Sequence, residues 1–181
     1  MEDIPFVSVT KDTPKEDAIR LGECPEAREC MKCSKLCTMG SGALADEDIP
    51  KLAKHLGVTE ENLKKEYLEE IEKYGTIRYK PKLIREGKKH YGECIFFNPQ
   101  EKCTIHAAKP LECKISTCTK HGESLSEWFM LNYFVNPNNP QSIRDWAIRL
   151  KTHPTIPGGK PEDMIKDKKK LAKIMSYEIL R

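Results

Sequence analysis

Residues 24–37, CPEARECMKCSKLC, place four of the chain's eight cysteines within fourteen positions. Thiols this close together can belong to a disulfide framework, a metal site or a catalytic centre. Pro25 favours an extended backbone at Cys24, and residues 30–37 show no hydrophobic periodicity. A segment without an apolar face gains little from packing, so we expect its cysteines and whatever they bind to hold it in place.

The composition of the whole chain indicates a soluble intracellular protein. Its 181 residues suffice for one ordinary domain with its own core. The 31 basic and 28 acidic side chains leave a net charge of +3, which is too even to indicate nucleic acid as a partner. The N-terminal sequence has no basic region followed by an apolar run, and no stretch is apolar for long enough to cross a bilayer. We therefore expect a cytoplasmic location and no membrane partner.

This expected location favours metal among the three possible uses of the thiols. The reducing cytosol disfavours structural disulfides, and a thiol cluster there more often binds metal or performs redox chemistry. A disulfide scaffold stays open as an alternative because intracellular proteins of hyperthermophiles depart from this rule. A catalytic cysteine would need one isolated thiol beside a base, and the crowding argues against it.

Cysteine spacing supports a metal site. Cys30 and Cys33 form a C-x2-C turn in which two thiolates can converge on one metal, and Cys37 can supply a third corner. A second group follows, in which loops of eight, nine and four residues separate Cys94, Cys103, Cys113 and Cys118. Two sites with four cysteines each are possible, and the spacing leaves the grouping open.

The choice of metal also stays open at this level. Sites made only of thiolates bind Zn²⁺ or iron–sulfur clusters. The order C-x2-C-x3-C reverses the pattern of radical enzymes that bind S-adenosylmethionine, which argues against that class. His106 and His121 lie close to cysteines and could replace a thiolate. With eight thiols available, we interpret both as surface imidazoles or as groups that support the ligands.

Hydrophobic spacing predicts a mainly helical α+β fold. We expect irregular cysteine-rich loops gathered around a metal centre, a short β-hairpin formed by residues 76–84 and 90–97, and C-terminal helices. Helices are predicted at residues 15–22, 46–57, 59–74, 125–135, 141–150 and 162–180. The expected division is an N-terminal arm (1–20), a cysteine-cluster domain (21–122) and a helical extension packed on it (123–181).

The first cysteine group, the segment DIPKLAKHLGVTEENLKKEY and the motifs CIFF, CTIH and KPLEC together resemble the YkgJ-like cysteine-cluster family. That family is described as a zinc- or iron-chelating domain, and the resemblance covers residues 24–118. The sequence departs from the family pattern at Leu36, where an adjacent cysteine pair would begin, and at Lys109, where the family has arginine. The resemblance implies metal ligation by Cys30, Cys33, Cys37, Cys94, Cys103 and Cys113, with Cys24 and Cys118 as candidate replacements for what is missing.

The resemblance also shapes the functional hypothesis. Some relatives, such as flagellin lysine methylases, look like cluster-containing enzymes, which implies an iron–sulfur cluster, with [4Fe–4S] favoured over zinc. The chain would then carry one or two clusters and act in electron transfer, in cluster handling or as an accessory subunit docked on a protein partner. Two alternatives are a zinc-stapled interaction module and a cluster-dependent group-transfer enzyme. No small-molecule substrate is identifiable, since the chain has no glycine-rich phosphate loop.

Overall fold

A computed structural model of the chain describes residues 8–24 and 35–181. These residues form two compact units. The cysteine unit comprises the described parts of residues 19–72 and 77–122, and it holds every cysteine that the structure describes. The helical unit comprises the described part of the first 18 residues, residues 73–76 and residues 123–181.

Short elements make up the part of the chain that carries the cysteines. The helices are α1 (Lys15–Gly22), α2 (Asp48–Leu56), α3 (Glu60–Asn62), which continues as a π-helical turn (Leu63–Tyr67), a 3₁₀ turn (His106–Ala108) and α4 (Leu111–Ile115). The strands are β1 (Leu68–Lys73), β2 (Thr76–Pro81), β3 (Leu83–Ile84), β4 (Glu93–Cys94), β5 (Phe97–Asn98) and β6 (Lys102–Cys103). They pair as β1 with β2, β3 with β4 and β5 with β6, and the last two pairs are antiparallel.

Helix α2 forms where its sequence predicts it. Leu52 and Ala53 are buried, and Asp48 lies in the first turn, where a negative charge suits the helix dipole. The helix stops at Gly57, whose left-handed backbone (φ 67°) lets its N–H bond to the carbonyls of the last turn. Thr59 then caps α3 by accepting a hydrogen bond from the N–H of Asn62.

The single helix predicted for residues 59–74 is wrong in its second half. Helical structure ends at Tyr67, and Leu68–Lys73 form strand β1 instead. Tyr74 and Gly75 both adopt positive φ, 52° and 69°, which allows a tight turn from β1 into β2. Pairing with β2 therefore overrides a local pattern that suits a helix, since strand preference depends on cross-strand neighbours.

The helical unit contains α5 (Gly122–Tyr133), α6 (Pro140–Arg149), α7 (Pro161–Met164) and α8 (Lys168–Met175). Its core includes Trp146, whose indole N–H donates to the Gly159 carbonyl at 2.7 Å. The buried Arg144 guanidinium donates to the carbonyls of Ile174 and Ile179, which ties the C-terminal segment to α6. These bonds give a buried cation several acceptors, and no carboxylate of the described residues pairs with it.

The one helix predicted for residues 162–180 is also wrong, because it divides into α7 and α8. Ile165 has an extended backbone, and the Asp167 carboxylate accepts hydrogen bonds from the N–H groups of Lys169 and Lys170. An aspartate that caps a new helix competes with continuation of the preceding one. The predicted fold class, mainly helical α+β, is confirmed. Among the described residues, no helix is both long and apolar enough to span a bilayer.

Candidate metal centre

Four thiols, here called the thiol cluster, come together in the cysteine unit. Cys94 is 8% exposed and belongs to an apolar core that includes Leu44 and Phe96, and two further thiols pack against the same core. Burial is the largest cause that raises the pKa values of Cys94 and Cys113, and charge on neighbouring thiols raises both further, as expected for groups close in space. The members of the thiol cluster are Cys37, Cys94, Cys103 and Cys113.

Each member of the thiol cluster lies on a different element. Cys37 ends a helical turn at residues 35–37. Cys94 lies in β4 opposite Leu83, and Cys103 lies in β6 opposite Phe97. The fourth member, in α4, follows β6 after a short connection. The two short strand pairs thus fix two thiols on rigid backbone beside the core.

Backbone N–H groups point at three of the four sulfurs. Cys94 accepts from the N–H of Phe96, and Cys103 accepts from the N–H of Ile105. In both motifs, CIFF and CTIH, the donor lies two residues after the cysteine, and its own side chain is buried. The third donor comes from a distant segment, with the Gly42 N–H 3.3 Å from the Cys113 sulfur. Such donors stabilise a thiolate, and in iron–sulfur proteins they tune the cluster.

Burial opposes ionisation of these thiols. It raises the pKa of Cys94 to about 11, and it also raises the pKa values of Cys103 and Cys113. The nearby ammonium of Lys109 acts in the other direction at Cys103 by lowering its pKa. A metal bound here would have to displace protons, so its affinity should increase with pH.

A buried carboxylate fixes the helix that carries the fourth thiol. Asp48 is 4% exposed, and its Oδ2 accepts the N–H of Ala45 at 2.9 Å and the N–H of Leu111 at 2.7 Å. These bonds join the start of α2 to the start of α4. The sequence analysis did not single out Asp48, although it lies in DIPKLA and its partner Leu111 in KPLEC, both segments of the family resemblance.

Gly42 is a second residue that the sequence analysis missed. A Cβ added at Gly42 would lie 2.7 Å from the sulfur of Cys113 and 2.8 Å from its backbone nitrogen. The neighbouring Ala43 N–H donates to the Glu112 carboxylate. Only glycine lets this segment approach α4 closely enough for the N–H to reach the sulfur.

We expect Gly42→Ala to lower both metal content and stability, because the added methyl group must push the segment away from Cys113. The expected loss in the free energy of unfolding is about 1–3 kcal/mol, as for overpacked sites. Gly40→Ala is the matched control, since a Cβ at Gly40 meets nothing within 4 Å. Metal analysis and urea denaturation measure the two effects, and equal behaviour of the two variants would contradict this role of Gly42.

The other predicted ligands have different surroundings. Cys24 is half-buried and Cys118 is exposed, and neither is among the thiols whose charge acts on Cys94 or Cys113. None of the six described cysteines forms a disulfide. Within residues 8–24 and 35–181, no three Cys, His, Asp or Glu side chains approach closely enough to coordinate one ion as they stand. Cys30 and Cys33 lie outside the described residues.

Comparison with known proteins adds one finding. A family model named CxxCxxCC, with the description "Putative zinc- or iron-chelating domain", matches residues 29–132. The match covers more than half of the chain and includes every cysteine except Cys24. No curated protein and no solved structure matches the chain.

Proposed function

Because this chain belongs to the CxxCxxCC family of zinc- or iron-chelating domains, we propose that its thiol cluster binds one metal centre. The observation that carries the proposal is that Cys37, Cys94 and Cys103 share one apolar core, with Cys113 near enough for charge on Cys37 and Cys94 to act on it. A solitary buried cysteine can be an inert core side chain. Four thiols gathered from separate segments, three of them accepting backbone N–H bonds, exceed what one inert core side chain explains, and a bound cation would stabilise their thiolate forms.

The donor chemistry of the thiol cluster fits a metal–thiolate centre, and its side chains would have to move closer together to share one ion. All four donors are sulfur, the ligand type shared by structural zinc sites and iron–sulfur clusters. Three of the sulfurs already receive backbone N–H bonds, which suit a sulfur that carries negative charge. When bound, the metal would supply positive charge and, if it is iron, redox chemistry; the chain supplies the ligands and excludes water from one side.

We favour an iron–sulfur cluster, specifically [4Fe–4S], over zinc. Structural zinc sites usually take their ligands in C-x2-4-C pairs. The members of the thiol cluster are instead separated by 56, 8 and 9 residues, since they stand at positions 37, 94, 103 and 113. Ferredoxins also hold their clusters with compact cysteine runs, so this spacing matches neither metal's usual pattern. The preference for iron follows from the resemblance to cluster-containing lysine methylases.

In this proposal the protein serves electron transfer, cluster handling or an accessory role on a larger protein partner in the cytoplasm. Cys24, Cys30, Cys33 and Cys118 would be available for a second centre, which stays a prediction. The second candidate function is a zinc-stapled interaction module, and the thiol-only donor set supports it equally well. A cluster-dependent group-transfer enzyme rests on the family resemblance alone.

An absorption spectrum of protein purified without oxygen separates the two main candidates. An iron–sulfur cluster gives a broad visible absorption that bleaches when dithionite is added, together with iron and acid-labile sulfide. We expect this result. A colourless protein with stoichiometric zinc would overturn the iron–sulfur proposal and leave the thiol cluster as a structural zinc site.

A further inference from the structure

A cleft of about 400 Å³ opens on the cysteine unit between α2, the 3₁₀ turn and α4. Basic side chains supply much of its wall. Its lining residues are Asp48, Lys51, Lys54, His55, Ala107, Ala108 and Lys114. Three lysines and one histidine therefore contribute to the wall of this open cleft, together with two alanines.

No acidic side chain of the described residues forms an ion pair with a lysine of this basic cleft. Lys51, Lys54 and Lys114 form no ion pair or side-chain hydrogen bond with any residue in the described part of the chain. Several other cations of the same unit are paired. Those pairs are Arg78 with Asp46, Lys80 and Arg85 with Glu69, and Lys89 with Glu86.

Asp48, the one carboxylate among the described residues that line the cleft, accepts backbone hydrogen bonds instead of pairing with a lysine. Its side chain is almost wholly buried, and its Oδ2 already accepts the N–H groups of Ala45 and Leu111. A carboxylate that serves two backbone donors offers little surface to neutralise nearby ammonium groups. The cleft thus keeps a local excess of positive charge, although the whole chain has a net charge of only +3.

We propose that the basic cleft binds a small polyanion with at least two phosphate or carboxylate groups. Its volume lies within the range of small-molecule sites, roughly 300–1,000 Å³. Among the residues that the structure describes, no Phe, Tyr or Trp lines it, and the imidazole of His55 is the one ring in its wall. Flexible ammonium groups on α2 and α4 can each approach a different oxygen of one compact anion.

The cleft is coupled to the thiol cluster through α4. Lys114 directly follows Cys113, and Asp48 contributes both to the cleft wall and to the anchor of α4. An anion bound by Lys114 would therefore contact the same short helix, α4, that carries the proposed metal ligand Cys113. Polyanion binding itself does not depend on which metal the thiol cluster holds.

Titration calorimetry of the full chain, purified without oxygen, tests this proposal with pyrophosphate and citrate as separate probes. We expect saturable binding of at least one probe that weakens between low and high salt, because exposed charges are screened. Replacing both Lys54 and Lys114 with glutamine should weaken binding about 10-fold or more, since two charge contacts with the anion are lost. Pyrophosphate and citrate distinguish a phosphate from a carboxylate ligand.

Lys88→Gln is the matched control, because Lys88 is an exposed lysine of the same unit away from the cleft. The control should bind both probes as the unaltered chain does, and circular dichroism should show all variants folded. Failure of both probes to bind would overturn the proposal. Equal weakening by Lys88→Gln would also overturn it, because that result would indicate unspecific attraction. Polyglutamate serves as a third probe, and its binding alone would overturn the proposal by indicating a surface for an acidic protein.

Discussion

Cys94→Ser is expected to remove most of the metal from protein purified without oxygen, and the visible absorption with it. Cys94 is a buried member of the apolar core, and a serine hydroxyl is a much poorer ligand for zinc or iron than a thiolate. The variant should also lose stability, because bound metal stabilises the folded state by about 4 kcal/mol when it is present at a thousand times its dissociation constant. Metal analysis and urea denaturation measure the two losses.

Cys118→Ser provides the matched comparison, since this thiol is exposed and lies outside the thiol cluster. We expect it to keep the absorption of the cluster. The serine at position 94 is close in size to cysteine, so far-UV circular dichroism should show that the metal-free variant retains its secondary structure. If the unaltered chain holds a single centre and Cys118→Ser loses as much metal as Cys94→Ser, the proposed membership of the thiol cluster is wrong.

Asp48→Ala is expected to lower the free energy of unfolding by about 2–5 kcal/mol, because two buried N–H groups lose their acceptor at once. The start of α4 would lose its anchor, so metal content should fall as well. Asp46→Ala is the control: its carboxylate is 90% exposed and pairs with Arg78, a contact worth at most about 1 kcal/mol.

Asp48→Asn sharpens this test, since its amide oxygen can still accept both hydrogen bonds and it should restore part of the loss. Urea denaturation of the three variants gives the comparison. Similar stabilities for Asp48→Ala and Asp46→Ala would show that the buried carboxylate does not hold α2 and α4 together.

Local sequence patterns predicted those elements whose own side chains decide their structure. Helix α2 has an acidic first turn, a buried apolar stripe and a terminal glycine, and all three features follow one another in the sequence. The segment after Leu63 misled because its apolar residues fit a helix, whereas the turn at Tyr74 and Gly75 pairs it with β2. The dipeptide Tyr74–Gly75 was the sequence signal for a turn, but it indicates a hairpin only once β2 is known to pair with β1.

Residue type predicted the chemistry of the site, but spacing could not predict its grouping. The clustering of Cys37 with Cys94 crosses 56 residues and depends on contacts made only in the folded chain. The sequence pattern did not indicate the two residues that position α4. Gly42 and Asp48 have no ligand chemistry, and their importance comes from how closely their backbone or carboxylate approaches α4.

X-ray absorption spectroscopy at the edge of the bound metal tests the thiol cluster most directly. Four thiolates should give a first shell made only of sulfur, at about 2.3 Å for zinc or a similar distance for iron, and an iron–sulfur cluster should add iron neighbours. The shell should be unchanged in Cys118→Ser. A first shell dominated by nitrogen or oxygen, or protein isolated without oxygen that holds neither iron nor zinc, would contradict the account.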